Sequence, residues 1–273
     1  MLHLLRIVTL IGYLIRDKPD KKNSWRILVT YYSKAIQSLL EVAALVEQNV
    51  AMIPIHTSGY FITGSDTDVG KTYITCEIVR QLGEFGLSLE TRKPAESGCK
   101  LDTSGNMVPA DGLKLQTANS QHESIDRITP FKFGAALAPH RAARIEGRQL
   151  LLNSLLNACS RDDGNSTLIV EGAGGFYSPM ADDGLNADLA GLLQLPAIIV
   201  INNKIGAVNQ ALLTIQAIEN KGLAIAAVIL NQVKPNITPD MNNFEDLLVY
   251  CEYPIFCCGY QQALPPIFEV IAQ

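Results

Sequence analysis

The sequence lacks the cysteine patterns of disulfide-rich and zinc-binding proteins. Its six cysteines, at positions 76, 99, 159, 251, 257 and 258, include no C-x-x-C pair and have no metal-ligand spacing to the four histidines. Cys257 and Cys258 are adjacent within an apolar run, which indicates buried free thiols. Because free thiols fit a reducing cytosol, we expect a cytoplasmic protein.

Long hydrophobic runs and an excess of positive charge are also missing. The apolar run from Leu2 to Ile15 includes Arg6 and is shorter than the ~20 residues that a membrane-spanning helix needs. No clear small-residue cleavage site follows it, so a signal peptide is a poor match. The net charge of −5 argues against nucleic acid as the main partner. We therefore expect neither membrane nor nucleic-acid binding.

The chain does have enough apolar sequence for a sizeable core, since apolar residues make up 48% of its 273 residues. From residue 58 onward, apolar strands alternate with helices. Strands are predicted at 59–63, 89–93, 167–170, 197–201 and 224–230. This alternation predicts an α/β, three-layer fold in which helices cover both faces of a mostly parallel sheet.

Residues 1–55 differ from this pattern and form a predicted N-terminal extension, followed by a domain of residues 56–273. Residues 34–48 have the periodicity of a helix. Either the extension is an added helix, or the true start of the protein is Met52, seven residues before the first predicted strand. We favour the second interpretation.

The most informative stretch is G-S-D-T-D-V-G-K-T, from Gly64 to Thr72. A strand, a glycine-containing loop, Lys-Thr and then a helix form the layout of a phosphate-binding loop. Backbone N–H groups and the positive end of the helix attract phosphate, Lys71 adds a charge, and the Thr72 hydroxyl suits Mg²⁺. The spacing departs from G-x-x-x-x-G-K-[ST], because Ser65 stands at the first glycine. Together with the alternating elements, this loop predicts a P-loop NTPase-like fold.

Other polar residues follow strands and are expected at the same edge of the sheet. Lys93 could neutralise a transferring phosphoryl group, although a lone lysine is usually only solvated. Glu171 ends an apolar strand, where an unpaired carboxylate would be costly to bury unless a cation neutralises it. With Thr72 and Asp111 it could ligate Mg²⁺, but Asp111 could equally cap its helix.

Two further strand ends have two interpretations each. The glycine-rich run at 172–175 lets backbone amides approach a ligand closely, or forms a tight turn. The side-chain amide of Asn231 could read the edge of a nucleobase, or simply end its strand in a turn.

These segments, in this order, resemble the dethiobiotin synthetase family over about residues 58–260. The matching segments are Gly64–Thr72, Lys93–Gly98, Asp111, Ala138–Ala142, Val170–Gly175, Lys204–Asn209 and Asn231. The resemblance implies an ATP-dependent ligase of biotin biosynthesis that forms the ureido ring of dethiobiotin. Its implied substrates are 7,8-diaminopelargonate (7,8-diaminononanoate), CO2 or bicarbonate, and ATP, with Mg²⁺ as the cofactor. A carbamate and a carbamoyl-phosphate are the implied intermediates.

The resemblance also implies roles for individual residues. Lys93, Lys71 and Thr67 are implied in catalysis, and Ser97, Thr67 and Gly175 in binding the substrate. The residues implied to bind ATP and its metal are Asp68, Val69, Gly70, Lys71, Thr72, Tyr73, Asp111, Glu171, Gly172, Ala173, Gly174, Asn231 and Gln232. Among these, Thr72, Asp111 and Glu171 are the implied Mg²⁺ ligands. The family is a homodimer in which the substrate tail reaches the Lys204–Asn209 region across the subunit interface.

The chain departs from the family pattern at three points. Asp68 stands where glutamate is common, and Gln232 stands where aspartate is often found. The segment Gly259–Gln262 lacks the proline that contributes to the family's adenine pocket.

Three other classes share parts of this pattern. A partition-type or septum-site ATPase would carry an extra lysine within residues 65–69, where this chain has none. An amidotransferase-linked cobyrinic acid synthetase would need a second domain to supply ammonia. A catalytically inactive nucleotide-binding paralogue stays open, and the unusual C-terminal segment favours it.

Overall fold

A computed structural model describes residues 52–56, 58–120, 123–162, 164–236 and 238–269. Contacts divide the chain into the units Met1–Val50 and Ala51–Gln273. The predicted helix at 34–48 and nearly all of the predicted N-terminal extension lie outside the described residues.

Strands and helices alternate through the described part of the chain, as the sequence predicts. The strands are β1 Ile53–Pro54, β2 Gly59–Gly64, β3 Leu89–Arg92, β4 Ala95–Ser97, β5 Lys100–Leu101, β6 Met107–Val108, β7 Phe131–Phe133, β8 Thr167–Glu171, β9 Pro179–Ala181, β10 Gly184–Leu185, β11 Ala197–Asn202, β12 Ile225–Asn231, β13 Ile255–Cys258 and β14 Phe268–Glu269. The helices are α1 Lys71–Glu84, α2 Ala110–Ala118, α3 Ile125–Ile128, α4 Pro139–Ile145, α5 Leu152–Ala158, α6 Asn186–Leu193, α7 Ala207–Asn220 and α8 Asn243–Leu248. None of the described helices is both long enough and apolar enough to cross a membrane.

The centre of the fold is a six-stranded sheet in the order β13-β12-β11-β2-β8-β3. Every neighbouring pair in it is parallel. Alternate side chains of the central strands enter two separate apolar clusters. Phe61 and Ile199 pack into the cluster with α4–α7, whereas Ile62 and Ile198 pack with α1. The predicted three-layer α/β fold is therefore confirmed.

The parallel arrangement brings the carboxyl ends of the strands to one edge of the sheet. Gly64, Glu171 and Asn231 end β2, β8 and β12, and Lys93 follows β3. In such sheets ligands bind outside this edge. The separate polar segments of the sequence thus meet at the expected position for a site.

The sequence did not predict the shortest elements or the edge strand β13. The pairs β4–β7, β5–β6 and β9–β10 have only two or three residues in each strand, too few to give a periodic signal. The six cysteines are free, as expected. The expectation that Cys257 is buried was wrong, because strand alternation buries Cys258 and leaves Cys257 exposed.

The short strand β1 lies before the predicted domain boundary and belongs to the folded unit. Ile53 is buried, and its N–H donates to the carbonyl of Ile267 at 2.6 Å. The Tyr60 hydroxyl donates to the carbonyl of Pro54 at 2.8 Å. Burial raises the pKa of Tyr60 to about 12, so this hydroxyl keeps its proton at neutral pH.

We expect a shortened chain that begins at Met52 to fold with the same free energy of unfolding as residues 1–273. A chain that begins at Ser58 loses β1 and should be about 2 kcal/mol less stable, the usual contribution of one buried isoleucine. Urea unfolding of the three chains measures both differences. A large loss of stability already in the Met52 chain would show that residues 1–51 support the fold.

Candidate active site

The loop between β2 and α1 has a backbone that requires glycine at its last position. Gly70 has φ +86°, and a Cβ atom there would lie 2.1 Å from Nδ2 of Asn231. A side chain at this position is therefore excluded by both conformation and space. Asp68 also has a positive φ of 57°, which is uncommon outside glycine. Such conformations turn backbone N–H groups inward, as phosphate binding requires.

Asn231 is bonded directly to this loop. Its Nδ2 donates to the carbonyl of Val69 at 2.9 Å, and the side chain is buried. The sequence allows Asn231 either to bind the edge of a nucleobase or to end its strand in a turn. The structure shows a further role, because this hydrogen bond supports the backbone of the loop. The neighbouring Gln232 donates through Nε2 to the carbonyls of Lys234 and Pro235, at 2.9 and 3.2 Å.

Lys71 begins α1, and its ammonium group lies inside the loop. Nζ donates to the carbonyl of Asp66 at 2.8 Å. Burial and then the nearby charge of Lys93 lower the pKa of Lys71 to about 8, although Glu171 and Asp66 act in the opposite direction. The lysine is therefore mostly charged at neutral pH and loses its charge in mildly alkaline solution.

ATP binding at pH 8 is expected to take up protons. A triphosphate beside Lys71 favours the charged form and raises its pKa, so binding should take up about half a proton at pH 8 and almost none at pH 6.5. Calorimetry in buffers with different ionisation enthalpies measures this uptake. In the Lys71→Arg variant the guanidinium stays charged, so the uptake should vanish. An equal uptake in this variant would contradict the assignment to Lys71.

Lys93, Glu171 and Asp111 form a charge cluster beside the loop, in which Lys93 and Glu171 are buried and Asp111 is half-buried. Lys93 Nζ lies 2.5 Å from Glu171 Oε1 and 3.3 Å from Asp111 Oδ2. Burial alone would lower the pKa of Lys93, but Glu171 and Asp111 outweigh it and the net pKa is raised. Burial likewise opposes ionisation of Asp111, but Lys93 and Lys114 hold its pKa below the usual value. The lysine and Asp111 are thus both charged at neutral pH.

Glu171 has one oxygen that is left without a partner. Oε1 accepts from Thr72 Oγ1 at 2.7 Å and from Lys93, whereas Oε2 is buried and has no hydrogen bond. An unpaired carboxylate oxygen at full burial is costly, and a bound cation would remove that cost. No cluster of three or more histidine, cysteine, aspartate or glutamate side chains suited to a metal occurs in the described ranges. Two carboxylates and a hydroxyl nevertheless fit Mg²⁺, which fills its octahedron with water and phosphate oxygens.

A cavity of about 840 Å³ joins the loop to this cluster. Most of the residues foreseen for the site line it: Thr67, Asp68, Gly70, Lys71, Thr72, Tyr73, Lys93, Ser97, Asp111, Glu171, Ala173 and Gly174. The foreseen residues that do not line it are Val69, Gly172, Gly175, Asn231 and Gln232.

Two of the foreseen glycines act by close packing. A Cβ at Gly172 would lie 2.5 Å from the side chain of Asn186, and one at Gly175 would lie 2.8 Å from the carbonyl of Ser65. Gly175 N–H donates to Ser178 Oγ at 2.8 Å. The run at 172–175 therefore forms a turn, and its last residue, Gly175, also packs against Ser65 at the start of the loop.

Every residue that lines the cavity lies within the part of the chain that matches a known protein family. A family model described as an AAA domain matches residues 58–260. The chain is 42% identical over 179 residues to the ATP-dependent dethiobiotin synthetase of Vesicomyosocius okutanii, which covers 66% of this chain and 81% of that protein. It is 39% identical over 184 residues to that of Anaeromyxobacter dehalogenans strain 2CP-1, with 67% and 80% covered. The Yersinia pestis synthetase is 37% identical over 180 residues, with 66% and 75% covered.

The chain belongs to the dethiobiotin synthetase family. This membership does not favour a partition-type ATPase, in agreement with the absence of an extra lysine in residues 65–69. The family match ends at Tyr260, within the segment Gly259–Gln262. In that segment the carbonyl of Gln262 accepts from the Tyr73 hydroxyl at 2.8 Å, which ties the C-terminal region to the start of α1.

Sequence reasoning missed several residues that line the cavity of this synthetase-family chain. One wall is Ala136–Pro139, whose last two residues begin the segment Ala138–Ala142. The sequence matched this segment to the family but assigned it no role. Lys114 also lines the cavity and lies 3.0 Å from Asp111 Oδ1. The spacing of Asp111 and Lys114, three residues apart on one helix, was a usable signal for this pair. Glu96, inside the segment Lys93–Gly98, also lines the cavity, and the sequence alone does not indicate its role.

Proposed function

We propose that this chain is an ATP-dependent dethiobiotin synthetase, a ligase of biotin biosynthesis. Its substrates would be 7,8-diaminopelargonate, CO2 and ATP. The observation that carries the proposal is the convergence of Lys71, Lys93 and Glu171 on one cavity in a chain of this family. A catalytically inactive paralogue would have no need to bury Lys93 between two carboxylates beside the phosphate loop.

The proposed reaction needs two anions to meet. One amine of the substrate adds to CO2 and loses a proton, giving a carbamate. A carbamate oxygen then attacks the γ-phosphorus of ATP, the bond to ADP breaks, and a carbamoyl-phosphate forms. The second amine attacks its carbonyl, loses a proton and expels phosphate, which closes the cyclic urea. Carbamate and triphosphate repel each other, so the site must supply positive charge.

The chain's own residues supply this charge from two sides. Lys71 would neutralise the β- and γ-phosphates from inside the loop. Lys93, whose raised pKa keeps it charged, would hold the carbamate oxygen and the transferred phosphoryl group in line. Thr67 and Ser97 line the same cavity and would hold the diamine or its carbamate by hydrogen bonds.

We also propose that Thr72, Asp111 and Glu171 hold Mg²⁺. The unpaired Oε2 of Glu171 and the short distance from Thr72 to Glu171 support this assignment. When bound, Mg²⁺ would neutralise charge on the phosphate oxygens and orient them. Lys93 lies within reach of the same carboxylates, so it would have to share or leave them when the metal binds.

The proposed working form is a cytoplasmic homodimer. Three large apolar side chains are exposed in this part of the chain. Ile205 lies within the Lys204–Asn209 region, and Leu213 and Tyr250 follow it in the sequence. A partner subunit would cover these side chains. Sedimentation equilibrium should give twice the monomer mass, and Leu213→Asp should shift the protein toward monomer. A wild-type protein that sediments as a monomer at micromolar concentration would refute this part.

The function is tested by product formation. Purified protein is incubated with ATP, Mg²⁺, bicarbonate and 7,8-diaminopelargonate, and dethiobiotin is measured by mass spectrometry. We expect dethiobiotin and phosphate in equal amounts, and no phosphate release when the diamine is left out. ATP binding without dethiobiotin formation would refute the synthetase, and ATP hydrolysis without the diamine would favour a switch ATPase.

A further inference from the structure

Glu96 is a buried carboxylate to which the proposed mechanism gives no role. It lies in β4 between Lys93 and Ser97 and is only 6% exposed. Burial raises its pKa, and this is only partly opposed by the hydrogen bonds that it accepts from Asp111 and Gly112. Burying a carboxylate costs free energy unless neighbouring groups form hydrogen bonds or ion pairs with it. The role of Glu96 can therefore be inferred from its hydrogen-bond partners.

Both oxygens of Glu96 bind the first turn of α2. Oε1 accepts from the N–H of Asp111 at 2.9 Å, and Oε2 accepts from the N–H of Gly112 at 2.9 Å. The residue before the helix, Pro109, provides no side-chain cap. The first N–H groups of a helix have no partner within the helix, and a negative charge beside them is favourable. Glu96 thus caps α2 from a separate strand.

The cap acts on the backbone of the residue that contacts Lys93. Asp111 is the second residue of α2, and its Oδ2 lies 3.3 Å from Lys93 Nζ. A Cβ at Gly112 would lie 2.3 Å from Thr129 Oγ1, so α2 also packs closely against Thr129. The first turn of α2 is therefore held by the two bonds to Glu96 and by its close packing against Thr129, which restricts the position of Asp111.

We propose that Glu96 is a positioning residue that fixes Asp111 for Mg²⁺ through the two backbone bonds to α2. The proposal rests on the proposed role of Asp111 as a Mg²⁺ ligand. Groups that orient metal ligands commonly change metal affinity by 10- to 100-fold when they are removed. Glu96 differs from the ligands in acting through the backbone of Asp111, and not through its carboxylate.

The test measures Mg²⁺ binding by calorimetry with ADP present. We expect Glu96→Ala to weaken Mg²⁺ binding about 10-fold or more, while ADP binding in EDTA stays unchanged. The matched control is Asp102→Ala, because Asp102 also accepts two backbone N–H groups, from Ser104 and Asn106 at 2.8 Å, but does not line the cavity. This control should bind Mg²⁺ as the wild type does.

A second variant separates position from charge. Glu96→Gln removes the same charge but keeps one carbonyl acceptor, so it should weaken Mg²⁺ binding less than Glu96→Ala does. Equal losses in the two variants would assign the effect to charge and overturn the positioning role. The role would also be overturned if the variants raised the KM for the diamine and left Mg²⁺ binding intact, since Glu96 would then bind substrate directly.

Asp111→Asn distinguishes the failure of this inference from that of the proposed function. If Asp111→Asn weakens Mg²⁺ binding and Glu96→Ala does not, the inference about Glu96 fails alone. If Asp111→Asn leaves Mg²⁺ binding unchanged, the proposed metal site itself is wrong. Urea unfolding of every variant checks that binding is compared between folded proteins.

Discussion

Replacing Lys93 by alanine is expected to lower the turnover of dethiobiotin formation roughly 10³-fold, as the loss of one preorganised charge does in other active sites. Lys93 Nζ lies 2.5 Å from Glu171 Oε1 and 3.3 Å from Asp111 Oδ2, so its ammonium group is fixed beside the cavity, where the proposed mechanism needs positive charge. ATP affinity should change little, because the phosphate loop and Lys71 remain. The measurements are kcat at saturating substrates and the dissociation constant for ATP.

The control for this variant is a lysine–aspartate pair that does not line the cavity. Lys221 Nζ lies 2.6 Å from Asp188 Oδ1 on the surface, and neither residue lines the cavity. Lys221→Ala should keep the wild-type turnover. A Lys93→Ala protein that is folded, binds ATP and turns over within tenfold of the wild type would refute the catalytic role of Lys93.

The sequence was most informative for residues whose position follows from the strand that precedes them. The runs around Phe61, Val170 and Ile199 are apolar on both faces, which predicts a central parallel strand and puts the next residue at the edge of the sheet. This rule predicts that Lys93 and Glu171 meet the loop that carries Lys71, whereas Asp111 lies in helix α2 and its position does not follow from the rule. The structure brings Lys71, Lys93 and Glu171 together around one cavity, as the strand-end rule predicted, and adds Asp111 from α2.

The sequence was least informative where a role depends on a partner far along the chain. Glu96 accepts from residues 15 and 16 positions away, and the intervening β5–β6 hairpin that determines this reach is too short to predict. The bond from Asn231 to Val69 spans 162 positions and depends on the order of strands β12, β11 and β2. Neither bond has a local pattern, so only the folded chain reveals it.

Glu171→Gln should have a large effect on both stability and metal binding. Glu171 is 0% exposed and is the nearest anion to the buried Lys93, so removing its charge leaves the lysine with Asp111 as its remaining close partner. Breaking a buried ion pair from one side typically costs 3–5 kcal/mol, and the remaining pair with Asp111 places the expected loss at about 3 kcal/mol. The pKa of Lys93 should fall, because burial is then opposed by less negative charge.

Urea unfolding with and without Mg²⁺ and ADP measures both effects of this substitution. In the wild type, a saturating ligand that binds only the folded state raises the free energy of unfolding by about 3–4 kcal/mol. In Glu171→Gln the additional stabilisation by Mg²⁺ should be lost, because the unpaired Oε2 of Glu171 becomes part of a neutral amide. Lys221→Ala breaks an exposed pair and should cost under about 1 kcal/mol, with the Mg²⁺ effect retained. A Glu171→Gln protein that is as stable as the wild type and still stabilised by Mg²⁺ would refute both the charge cluster and the metal site.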